Sequence, residues 1–108
     1  MIKFKNWMNE VLNLEVRLVK YLEGEQFAVV LVDPVDEEDY SVITRNIPEA
    51  HGFLKPNQTL IPDNSEDEDL TQALVKEGVL IPTDICFPYN FYKMRVYDIC
   101  LEKVDKID

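Results

Sequence analysis

The sequence predicts a single α+β domain over residues 1–108, with a mostly antiparallel sheet and its helices packed on one face. Three observations carry this reading. Short runs rich in Val, Ile, Leu and aromatics are closed off by Gly, Pro and Asn; two stretches instead space their apolar residues as helices do; and the order reads α-β-β-β-α-β-β. With 108 residues, 46% hydrophobic and 10% aromatic, the chain is long and apolar enough for one real core.

The elements follow in order. Phe4, Trp7, Met8, Val11 and Leu12 fall at i, i+3, i+4, i+7 and i+8, which predicts an amphipathic N-terminal helix. Leu14 to Leu22 and Gln26 to Val32, separated by Glu23-Gly24-Glu25, predict a β-hairpin whose turn uses the freedom of Gly24. The second of these strands is apolar on both faces and should be central. It ends at Asp33-Pro34, because proline cannot donate to the ladder.

Tyr40 to Ile47 reads as a strand that Pro48 stops. From Pro48 to Pro62 there is no sustained period, so loop is expected, with a short extended piece at Thr59 to Ile61. Ser65 and Glu68 have the spacing of a capping box, Leu70, Ala73 and Leu74 supply an apolar stripe, and Gly78 is placed to end the helix. A helix from about Asp67 to Glu77 follows. Val79 to Phe87 and Phe91 to Leu101 are the last two strands, around Pro88-Tyr89-Asn90, and the tail frays or makes a last short turn. In the final strand Tyr92, Met94 and Val96 should face the core. Lys93, Arg95 and Tyr97 share the opposite face.

The formal net charge is −10, and its distribution is uneven. Asp33, Asp36, Glu37, Glu38 and Asp39 form one acidic run; Asp63, Glu66, Asp67, Glu68 and Asp69 form another. These are ten of 21 acids, so the rest of the chain balances 11 acids against 11 bases. Direct nucleic-acid binding is not expected, since phosphate contact needs a basic patch, and an anionic membrane is disfavoured for the same reason. The opening residues MIKFKNWMNEVLN have no long apolar run, which predicts neither a signal peptide nor a membrane helix, and cytoplasm is the expected location. Cys86 and Cys100 are expected as plain thiols.

No catalytic, metal or cofactor motif is found. His51 is the only histidine, in a loop without a nucleophile motif, and two cysteines with one histidine lack the paired spacing of a zinc site. Asp63-x-Ser65-x-Asp67 starts like a calcium loop, then has Glu68 where the turn requires Gly and Leu74 where a bidentate Glu belongs. A binding role is therefore expected in preference to an enzymatic one. Its candidate residues are Asp36, Glu37, Glu38, Asp39, Glu66, Asp67, Glu68 and Asp69, with a second candidate interface at Tyr89, Phe91, Lys93, Arg95 and Tyr97. The rival readings are a small enzyme with a scattered site, and a homodimeric structural protein whose acidic loops only keep it soluble.

The string YSVITRNIP, the loop ending LIPDN, the acidic-capped helix, Gly78 and the FPYNFY stretch together resemble a family of small bacterial proteins carried on plasmids, conjugative elements and phages. The family's Thr-x-Asn-Leu/Ile-Pro motif is matched by Thr44, Asn46, Ile47 and Pro48, and its helix-start asparagine by Asn64. The resemblance spans roughly Leu14 to Ile99. It implies an accessory protein of a mobile element and assigns no residue a role. Together with the charge, it leads to the expectation of a protein partner, in particular a nucleic-acid-binding one whose DNA the acidic runs imitate, as an anti-restriction or anti-CRISPR factor would. Monomer and homodimer both remain open.

Overall fold

The N-terminal residues do not form a helix. In the computed structural model, which describes residues 1–108, Ile2–Lys5 (β1) and Val11–Lys20 (β2) make an antiparallel hairpin with Ile2 opposite Leu14 and Lys5 opposite Val11. Asparagine chemistry decides this. The Asn6 side-chain carbonyl accepts from the backbone N–H of Met8 and of Glu10, both at 3.0 Å, and Asn9 adopts φ 62°, a left-handed conformation that Asn tolerates well. The apolar residues with helical spacing are therefore not all on a buried face. Trp7 is 87% exposed, and Met8 and Val11 are exposed as well.

The second hairpin is as expected. β2 continues into pairing with Phe27–Asp33 (β3), Glu15 opposite Val32 and Lys20 opposite Phe27. Gly24 in the connection has φ +86°, and a Cβ there would stand 2.8 Å from both Gln26 Oε1 and His51 Cε1, so only glycine fits. Glu38–Val42 (β4) adds to the other side of β3, and Lys106–Ile107 (β8) pairs parallel with β2 at Arg17 and Leu18. β1 and β8 use the same edge of β2, because the carbonyls of Glu10, Val16 and Leu18 accept from Asn6, Asp105 and Asp108 in turn.

The expected strand Tyr40 to Ile47 is divided between two sheets. Up to Ile43, whose N–H bonds the Val29 carbonyl, it pairs with β3; Arg45 then bridges Leu60 of Gln58–Pro62 (β5). Thr44 at the crossing accepts from Val29 N and shares a 2.7 Å hydrogen bond with the Tyr21 hydroxyl. Pro48–Ala50 is a single 3₁₀ turn. β5 is buried along its whole length and pairs with Tyr92–Ile99 (β7), which pairs in turn with Leu80–Tyr89 (β6), giving a second sheet in the order β5-β7-β6. β6 is an edge strand, and Pro82 and Pro88 are both tolerated there.

One helix is present, Glu68–Lys76 (α1), close to the expected bounds. The capping box does not form: Ser65 Oγ accepts from Asp67 N, and Asp67 at the N-cap makes no side-chain cap bond. The C-terminus closes as a Schellman motif, with Gly78 N bonding Val75 O, Val79 N bonding Leu74 O, and Gly78 at φ +78°. The observed order is thus β-β-β-β-β-α-β-β-β, an antiparallel arrangement of two sheets and one helix apart from the β2–β8 pair, in place of the expected α-β-β-β-α-β-β.

The main core joins both sheets to the helix. Leu14, Val16 and Leu18 of β2, Val29 and Leu31 of β3, Leu70 and Leu74 of α1, and Leu80, Tyr97 and Ile99 all belong to it. A smaller cluster of Ile47, Ala50, Leu60, Met94 and Val96 covers the other face of the second sheet. β7 is therefore apolar on both faces at its centre. No helix is long and apolar enough to cross a membrane.

Candidate partner-binding surface

The two acidic runs are built differently. The first forms the turn between β3 and β4. Asp33 Oδ1 accepts from Val35 N, Asp36 Oδ1 accepts from Glu38 N, and Glu37 sits at φ 60°. The Glu37 carboxylate bonds Arg17 at 2.5 Å, and Glu15 holds the same guanidinium at 2.8 Å. These bonds, Glu15 first and Glu37 second, raise the Arg17 pKa above the usual arginine value, so it stays charged throughout. Glu38 and Asp39 remain exposed and outside any ion pair.

The second run leads into α1. Asp63 reaches Arg95 at 3.6 Å and Glu68 accepts from Gln72, whereas Glu66, Asp67 and Asp69 have no ion-pair partner. Acidic residues at this end of α1 also suit its positive dipole. Asn64, just before them, takes φ 57° and turns the chain into the helix.

Two hollows lie on either side of this second run. The larger, about 500 Å³, is lined by Arg45, Pro62, Asn64, Ser65, Glu66, Asp67, Tyr92 and Met94. Its one cation, Arg45, donates to the Thr44 carbonyl at 2.9 Å. The smaller, about 140 Å³, is lined by Phe4, Asn6, Trp7, Tyr40, Glu66, Asp67, Asp69 and Leu70. Tyr40 reaches it because a β-bulge between Leu31 and Val32 leaves Tyr40 without a partner in the β3–β4 register. Its ring meets Phe4 edge-on with centroids 6.4 Å apart, although β1 and β4 lie at opposite ends of the first sheet's strand order. The sheet must curl to bring them together.

That curl places Tyr40, the residue immediately after the first acidic run, in one hollow with Glu66, Asp67 and Asp69 of the second. Phe4, Trp7 and Tyr40 were not expected among site residues. The available signal was Trp7 itself, a large aromatic between two turn-forming asparagines.

The second candidate interface is divided by the fold. Phe91 is fully exposed at the tip of the β6–β7 hairpin, beside Asn90 at φ 55°, and Lys93 is exposed. Tyr89 packs on the smaller cluster, and Arg95 is half-buried, donating to the Thr83 carbonyl at 2.9 Å. Tyr97 is only 4% exposed and belongs to the main core, whereas Tyr92, expected inside, is exposed. Tyr97 is accordingly corrected from interface to core. Burial raises its phenol pKa, Glu68 and Asp63 add to the effect, and Arg95 opposes it.

His51 lines neither hollow. Its Nε2 lies 2.6 Å from Asn46 Oδ1, and Asn46 donates to the Glu23 carbonyl, so the ring ties the Pro48–Ala50 turn to the β2–β3 connection. Cys86 and Cys100 are free thiols. No group of three or more His, Cys, Asp or Glu side chains is placed to hold a metal ion. No family model matches the chain, and neither does a curated protein or a solved structure.

Proposed function

We propose that the protein is a non-catalytic accessory factor that binds a basic, nucleic-acid-binding protein through its acidic surface, imitating the charge of nucleic acid. The observation that supports this reading is that Tyr40, the residue after the first acidic run, lines one hollow with Glu66, Asp67 and Asp69 of the second, where β1, β4 and the start of α1 come together. Of the ten carboxylates in the runs, Glu37 and Asp63 are in ion pairs, which leaves eight outside any ion pair, among them Asp33 and Asp36, which also accept from backbone N–H groups. Duplex DNA carries one charge per about 1.7 Å of axis, so eight charges correspond to about 14 Å of duplex. That length is enough to occupy part of a basic groove. The resemblance to mobile-element proteins supports a host defence or DNA-binding protein as the target, and location in the cytoplasm is part of the same proposal.

The test is affinity capture from host lysate with identification of the retained protein, at low and high salt and with duplex DNA as competitor. The control is a variant carrying Glu38→Gln, Asp39→Asn, Glu66→Gln and Asp69→Asn, all exposed and outside ion pairs. A nucleic-acid-binding protein displaced by salt, by DNA and by the variant is expected. Retention indifferent to all three would overturn the reading.

A further inference from the structure

We propose that the small hollow of Phe4, Trp7 and Tyr40 is a socket for one arginine side chain of the partner. This rests on the charge-based reading above and goes beyond it, because it names a point of recognition instead of a diffuse field. The starting observation is aromatic, not acidic. Trp7 is 87% exposed and Tyr40 42% exposed, and the Tyr40 ring meets Phe4 edge-on at 6.4 Å between centroids. An apolar surface of this kind on a small protein marks a place of interaction.

Its chemistry selects the occupant. Carboxylates of Glu66, Asp67 and Asp69 border the rings, and no Lys or Arg lines the hollow, so a cation is favoured over an anion or a neutral peptide. Asp67 stands at the N-cap of α1 without making a capping bond, so its carboxylate is not consumed by the helix. At about 140 Å³ the hollow is below the roughly 300–1,000 Å³ of small-molecule sites and admits a single side chain. Arginine fits better than lysine. Its planar guanidinium stacks on aromatic faces and bonds carboxylates in pairs, whereas an ammonium is a compact and strongly hydrated point charge.

Trp7 is the only tryptophan, so its fluorescence reports occupancy directly. The probes are three hexapeptides of identical sequence with arginine, lysine or uncharged citrulline at the central position. The arginine peptide should change Trp7 emission saturably, bind several-fold more tightly than the lysine peptide, and lose about fivefold or more in affinity with Glu66→Gln plus Asp69→Asn. The citrulline peptide should give no signal. By calorimetry, Trp7→Ala should weaken the arginine peptide about threefold and remove the preference over lysine, while an unchanged circular dichroism spectrum shows the fold intact. Equal binding of arginine and lysine peptides, unaffected by Trp7→Ala, would overturn the socket and leave charge imitation standing. Failure of every cationic peptide to bind at low salt would overturn both.

Discussion

The two acidic runs have the same length of charge in the sequence and different employment in the fold. Between β3 and β4 the carboxylates of Asp33 and Asp36 fold back on backbone N–H groups, and Glu37 is bound by Arg17. Around the start of α1, Glu66, Asp67 and Asp69 have no ion-pair partner and line a hollow with three aromatic residues. The first run is largely turn chemistry. The second is surface chemistry. A charge run is thus not one physical object, and its consequences depend on which of its oxygens already have donors.

The strongest way to break this contrast is to release the second run from its support. α1 is nine residues long, and Leu70, Thr71 and Leu74 are its buried residues. Leu74→Ala removes a fully buried side chain from the core shared by both sheets and should cost about 2–5 kcal/mol, read as a lower urea midpoint. Amide exchange should rise most in residues 63–77 and least in the turn at 33–38. Equal loosening of both runs would mean that α1 does not hold the second one separately.

A smaller substitution sharpens the contrast. Asp36→Ala removes the acceptor of the Glu38 N–H and should cost about 1 kcal/mol. Asp69→Ala removes no hydrogen bond; its loss of dipole interaction is offset by less repulsion from Glu66, Asp67 and Glu68, so stability should stay within about 0.5 kcal/mol. Parallel urea titrations decide this: equal losses at both sites would erase the distinction between structural and free carboxylates.

Parts of this arrangement are legible in the chain. The hairpin around Gly24, β5, and α1 with its end at Gly78 follow from turn residues and local periodicity, which are written within a few residues of each other. The N-terminal hairpin is hidden because Phe4, Trp7, Met8, Val11 and Leu12 satisfy a helical spacing. The competing signal was the alternation Leu12, Leu14, Val16, Leu18, which is the inward face of β2, together with turn-forming Asn6 and Asn9. The alternation along β7 separates Met94 and Val96 from Arg95 and Tyr97 as expected, but the expectation of a single buried face fails: Met94 and Val96 pack with Ile47 and Ala50, and Tyr97 on the other face is buried in the main core with α1 and the first sheet. The acids of the candidate site are visible as composition. Their aromatic neighbours are not, since Phe4 and Tyr40 meet only through the curl of a sheet whose edges are remote in sequence.

The finest distinction between the runs is electrostatic, and Tyr97 reports it. Its phenol is raised above the ordinary tyrosine value by burial and further by Glu68 and Asp63 of the second run; no residue of the first run contributes. The folded state therefore keeps this proton above pH about 10, where the unfolded chain has released it. Stability from the group is intact below that pH and is lost as pH rises through the folded pKa. Ultraviolet difference absorbance between the protein and Tyr97→Phe isolates the transition from the other tyrosines. Glu68→Gln should move it to lower pH, because the larger of the two second-run charge effects that oppose the phenolate is gone, and Asp36→Asn should leave it in place. A shift of equal size in both variants would show that the two runs act on the core as one diffuse field, and the division drawn between them would hold for hydrogen bonds only.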